Sequence, residues 1–297
     1  MSQVLQSERV RVRLPAVAPA RPSWWKAVVI AGVLLWLYMP TLAHLVSQWW
    51  NDPNYSHGFF VPLFSAFVIW QERNKLSGLN PRPSWAGLLF LGFGLCVLIV
   101  GQMGAELFLS RLSLLIVLAG LIVLFLGWNF LRALIFPWAF LLLMIPVPAI
   151  VFNQITFPLQ LLASKVASTT LPWMGVPVLR EGNVIVLPAM ALEVAEACSG
   201  IRSLLTLTFF SLVYGYVFEK RGWARAVLFF STIPITIAAN AGRVALTGVV
   251  SQFNPDLAEG WFHEAQGMVI FVIALAILIG LHQLIIRTTN FIDRRHA

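Results

Sequence analysis

A chain of 297 residues that is 59% hydrophobic and 11% charged, with twelve tryptophans, has the composition of a polytopic membrane protein and excludes an ordinary soluble domain. The net charge of +8 does not point to nucleic acid, because most basic residues flank hydrophobic runs, where positive charge sets topology. The two cysteines make no disulfide framework, no Cys/His spacing resembles a zinc site, and no cofactor is expected.

Residues 1–23 carry Arg9, Arg11, Arg13 and Arg21 among prolines and contain no apolar run, so a disordered basic leader on the cytoplasmic side is expected. The first apolar run, Trp24 to Trp49, is too long for the core of a cleaved signal peptide and should remain as an anchor. Further runs fall at about 58–71, 85–104, 111–128, 130–147, 200–218, 226–250 and 265–286, the second of them short and interrupted by Pro62. The expected fold class is therefore an all-α polytopic membrane protein. It is an eight-helix transmembrane bundle over residues 24–286, followed by a cytoplasmic tail at 287–297.

With the N-terminus in the cytoplasm, only Arg111, Lys165, Arg180, Arg202 and Arg243 of the 20 Lys and Arg residues fall on the outer side. That bias places both termini inside, and it puts His57 and His263 at the outer face. One outer segment, 148–197, is much longer than the rest. Its first part interleaves Asn153, Gln154, Gln160, Ser164 and Lys165 with Ile155, Leu159, Leu162 and Val166, a mixture suited to a short helix lying in the interface. After Pro172, Val178-Leu179, Glu181-Gly182-Asn183 and Val184 to Leu187 read as a β-hairpin, and Leu192-Glu193-Val194 as a further strand.

The chemistry-bearing residues follow directly. Cys198 lies in Glu196-Ala197-Cys198-Ser199-Gly200-Ile201-Arg202-Ser203, where a polar outer segment meets a new span. A thiol at a helix start gains from the dipole and free N–H groups there, which favour thiolate. Cys96 lies mid-span among Leu95, Val97 and Leu98, where an apolar medium keeps a thiol protonated and inert. Arg243 falls inside the seventh span, where a buried charge is costly and marks function, although a guanidinium snorkelling to the interface is the bland alternative. Asn240 is three residues earlier on the same helical face. His263, at the mouth of the eighth span, would alone be an ordinary interfacial histidine. Together, three successive spans offer a thiolate, a proton carrier and an oxyanion donor at one membrane face.

At these residues the chain resembles the exosortases and their archaeal relatives, the archaeosortases. The resemblance rests on Ala197-Cys198-Ser199-Gly200, on Asn240-Ala241-Gly242-Arg243, on His263, and on Asp52-Pro53-Asn54-Tyr55-Ser56-His57-Gly58-Phe59 before the second span. It implies a membrane cysteine transpeptidase of the bacterial inner membrane with its site at the periplasmic face, commonly serving organisms that make exopolysaccharide. The substrates it implies are secreted proteins with a C-terminal sorting signal: a Pro-Glu-Pro-type motif, a hydrophobic helix and a basic tail. Carried over by position, Cys198 is the nucleophile, His263 the proton-transfer residue and Arg243 the oxyanion or substrate-positioning group. Membrane lipids and an acceptor nucleophile of unknown identity complete the partners.

Arg202, one turn after Cys198, either depresses the thiol pKa or meets the acidic residue of the sorting motif; pairing with Glu196 or a lipid phosphate is the structural alternative. His57 competes with His263 for the proton-transfer role. Two other classes remain at this stage. A non-enzymatic scaffold or transporter component for polysaccharide export would be as basic and aromatic but would not need Cys198. An intramembrane protease would hydrolyse its substrates without transferring them.

Overall fold

The protein is described here by a computed structural model, which covers residues 24–104, 106–188, 190–194, 200–253 and 261–296. By internal contacts the chain forms two units, Met1–Pro40 and Thr41–Ala297. The described part of the first is the beginning of helix α1 (Trp24–Asn51), and all that follows concerns the second.

After α1 come α2 (Phe60–Gln71), α3 (Arg73–Ser77), α4 (Ala86–Met103), α5 (Leu107–Phe125), α6 (Trp128–Ala133), α7 (Ile135–Phe140) and α8 (Ala149–Thr170). Three short strands, β1 (Leu179–Glu181), β2 (Val184–Val186) and β3 (Ala191–Glu193), precede α9 (Ile201–Phe218), α10 (Gly222–Phe253) and α11 (Trp261–His296). The expected hairpin is present, with Arg180 opposite Ile185, and the further strand pairs antiparallel with β2.

Among the described residues six helices are long and apolar enough to cross a membrane, and a seventh crossing arises if Ile135–Met144 and Ala149–Met174, bent by 79°, count as one span. The all-α polytopic class holds, but the expected count of eight is not confirmed. The difference lies in two places. The expected second span is a helix of 12 residues, about 18 Å at 1.5 Å per residue against a hydrocarbon core of about 30 Å. The expected fifth is α6, α7 and a 3₁₀ turn at Leu141–Met144, ended by the Pro146 and Pro148 bend.

Helices α4 and α5 pack through small residues spaced by seven. A Cβ on Gly87 would lie 2.5 Å from the Leu124 nitrogen, one on Gly94 2.7 Å from Val117, and one on Gly101 2.6 Å from Ser110 Oγ. In lipid, where apolar burial drives little association, such close backbone approach supplies the packing. A larger buried cluster joins Trp49, Tyr55, Val61, Leu115, Phe140, Met144, Ile201 and Phe209. Trp49 Nε1 donates to the Met144 carbonyl at 2.9 Å, and Trp138 Nε1 to that of Leu115 at 2.9 Å, so both indoles satisfy their polar tips.

Polar contacts sort to opposite ends of α9. Asn54 meets Arg202 at its start, while Glu72 meets Tyr216, and Glu219 meets His282, at its finish. His282 is 1% exposed; its Nε2 lies 3.1 Å from Glu219 Oε2 and its Nδ1 2.9 Å from the Tyr214 hydroxyl. The Arg221 N–H, and after it the His282 ring, hold the Glu219 carboxyl below its ordinary value of 4.5 against the opposing effect of burial. The lowered value means that this stabilisation is present above the ordinary value and lost as pH falls through the folded one. Glu219→Ala strands a buried imidazole and is expected to destabilise the folded protein by about 1–3 kcal/mol. Thermal unfolding in detergent measures it; an unchanged midpoint would make the network dispensable.

Candidate active site

Gly200 caps α9 with φ +84°, a conformation that side chains other than glycine rarely adopt. A Cβ there would also stand 3.0 Å from both Cβ and Cγ of Asn240, so the α9 start rests directly on the buried Asn240 side chain of α10. On the other side of the 195–199 segment, Val194 is 1% exposed and its N–H donates to the Asn183 carbonyl at 2.9 Å. Val194 belongs to the same buried cluster as Val244, Ala245, Ile185 and Ala167. The chain on either side of 195–199 is thus anchored at positions of α10 that bracket Arg243. Glu196 and Cys198 lie outside the described residues.

Arg243 is half-buried, and its guanidinium lies against α11: a Cβ on Gly267 would be 3.3 Å from Cζ and 3.4 and 3.5 Å from the two Nη atoms. Position 263 is one helical turn before Gly267, in the first turn of α11. Next to Gly267, the buried Gln266 carries the contact further, since Thr247 Oγ1 of α10 reaches its Oε1 at 2.8 Å. Hence α10 and α11 are tied together within one turn of Arg243 by a polar pair.

Arg202 is exposed, and its Nε donates to Asn54 Oδ1 at 3.4 Å, joining the α9 motif to the segment before α2. His57 belongs to that same segment but is buried, its ring 5.9 Å from Phe209, two turns further along α9 than Arg202. Burial pushes its pKa below the ordinary value of 6.5, partly offset by the Leu143 and Asn54 backbone, and its Nδ1 has no hydrogen-bond partner among the described residues. The ring packs against Phe209 at the mouth of an open groove between α2 and α9. Four sequence-selected residues, Arg202, Asn240, Arg243 and His57, are therefore described with side chains, and the first three stand on elements that meet at the α9 start.

Two residues escaped sequence reasoning. Gln266 reads as an ordinary polar residue beside Gly267, yet it is 6% exposed and its Nε2 has no partner among the described residues. Arg111, counted only as an outer-side charge, is 3% exposed inside α5 with Nε and Nη2 unpaired among the described residues. The available signal was its place four residues into a helix that begins at Leu107, too deep for a loop charge.

A multi-span helical bundle that gathers an arginine, an asparagine and a glycine-capped helix start at one end defines a membrane protein with an embedded polar site. A model of the transmembrane exosortase family matches residues 49–280. The chain belongs to the transmembrane exosortase family. No curated protein and no solved structure matches the chain.

Proposed function

We propose that this chain is a membrane-embedded cysteine transpeptidase that cleaves the C-terminal sorting signals of secreted proteins, of the Pro-Glu-Pro type, at the outer face of the bacterial inner membrane. The observation that carries the reading is the bracketing of Arg243. The flanks of the Cys198 segment rest on α10 at Asn240 and in the Val244–Ala245 cluster, while Gly267 of α11 packs on the guanidinium itself.

In this reading the Cys198 thiolate attacks the scissile carbonyl, and the oxyanion forms opposite Arg243. Collapse breaks the C–N bond, His263 gives its proton to the departing amine, and a thioester joins the secreted part to Cys198. The severed tail stays in the bilayer. An incoming amine then attacks the thioester and releases the thiolate; water in its place gives hydrolysis. With the N- and C-termini cytoplasmic, the positive-charge bias puts this chemistry on the periplasmic side. Asn240 and Arg202 support the α9 start, and the family membership favours this enzyme over a non-enzymatic scaffold for polysaccharide export.

Co-expression with a tagged secreted protein that ends in such a signal tests the proposal. The tag should shift to the mass of the cleaved protein, with an added acceptor if transfer occurs, and a precursor that persists unchanged would refute it. His263→Ala should block this shift, whereas His57→Ala should only reduce it, through folding or substrate entry, because the buried His57 ring packs on Phe209. Full processing by His263→Ala with none by His57→Ala would exchange the two roles.

A further inference from the structure

Between α2 and α9 runs an open groove of about 560 Å³. It begins at Ser56 and His57 and descends past Phe60, Leu63, Phe67 and Phe210. Its wall is almost wholly apolar, and Phe60, Leu63 and Phe67 are 60%, 66% and 44% exposed. The two ends differ in sign. Above it, one turn before Thr206 of its lining, the exposed Arg202 marks the α9 start. Below it, Glu72 closes α2, with its side chain 38% exposed and its Oε1 3.4 Å from the Tyr216 hydroxyl.

We propose that this groove seats the transmembrane helix of the protein being processed, with an acidic residue of that helix's upper flank at Arg202 and a basic residue of its lower flank at Glu72. The inference rests on the proposed processing of membrane-anchored proteins and adds where and in which direction they dock. The polarity argues for such an occupant. From Arg202 to Tyr216 is fourteen residues of α9, about 21 Å, so a spanning helix laid in the groove overhangs it at the lower end and its basic residue reaches back to Glu72 along its long stem. A phospholipid would fill the apolar wall equally well and its phosphate suits Arg202, but its acyl chains end without a charge for Glu72 at the opposite mouth. Of the neighbouring cations Arg73 is engaged elsewhere and Lys75 holds Glu72 only loosely. Arg73 lies over the Trp70 ring at 4.5 Å and donates to its carbonyl, and Lys75 holds Glu72 only through an exposed contact of 3.5 Å, which a better-placed cation displaces.

The test uses the full-length protein co-expressed with a tagged precursor. A benzophenone amino acid at Leu63 or Phe67 should cross-link to the precursor's hydrophobic helix, while one at Leu89, 76% exposed on α4, should not. Glu72→Arg should slow processing about tenfold, since like charges placed opposite each other are strongly unfavourable. A precursor whose first basic tail residue is replaced by Glu should recover most of that loss. Cross-links from Leu63 and Phe67 to lipid or to a second copy of this chain alone would overturn the docking site, as would a Glu72→Arg enzyme that processes normally or one that the reversed precursor does not rescue. Because the unmodified enzyme is assayed alongside, failure of processing itself is seen separately from failure of docking.

Discussion

Cys198→Ala and Cys198→Ser are both expected to leave the precursor unprocessed, at least a thousandfold below the parent rate, while the protein accumulates normally in the membrane. The serine variant is the sharper of the two. It retains the shape and a hydroxyl, but a hydroxyl is scarcely ionised at neutral pH where a thiol at a helix start is poised to be. The second cysteine provides the control: Cys96 is exposed on α4, a helix that packs on α5 through its glycine face. Cys96→Ala should process at the parent rate. The readout is precursor mobility together with trapping of the thioester by hydroxylamine, which releases the secreted part from the parent enzyme only. Normal processing by Cys198→Ala would remove the nucleophile, and with it the enzyme reading.

Much of the architecture was legible because, in lipid, a long apolar run has essentially one conformation that satisfies its backbone. α4, α5, α9, α10 and α11 were found on that basis alone. The hairpin was legible for a different reason: Gly182, with φ +66°, takes the left-handed turn that Glu181-Gly182-Asn183 announces. The crossing count was not legible. Hydropathy registers how apolar a stretch is but not whether it is straight, so the run that ends in the 79° bend after Met144 reads as an ordinary span, and the 12-residue α2 reads as a crossing although short and interrupted by Pro62. The site divides in the same way. Asn240 and Arg243 stand out as polar residues inside an apolar helix, and the structure brings them to Gly200 and Gly267. By contrast, the burial of Arg111, Gln266 and His282 depends on which helices become neighbours, and no local pattern encodes that. His57 belongs with them: its motif says nothing of the burial of the ring against Phe209.

Arg243→Lys is expected to cost on the order of a hundredfold in processing rate, because an oxyanion contact supplied by one donor group carries roughly that much. The reason is the plane of the guanidinium. Gly267 leaves room for a flat group, with Cζ and both Nη atoms 3.3–3.5 Å from where a Cβ would stand. The guanidinium therefore lies in contact with α11 at Gly267. A lysine ammonium has neither the plane nor the fork and would be oriented only by its flexible stem. Gly267→Ala tests the same contact from the other side. The added methyl is tighter than an ordinary contact, so it should tilt the guanidinium by a few tenths of an ångström and lower the rate with Arg243 still present. The two variants separate charge from geometry: Arg243→Lys keeps the charge and loses the fork, whereas Gly267→Ala keeps both and disturbs only their placement. If Arg243→Lys processes at near the parent rate, positive charge alone is sufficient. If Arg243→Ala does so as well, the residue contributes only to membrane topology, and the oxyanion must be met by another donor.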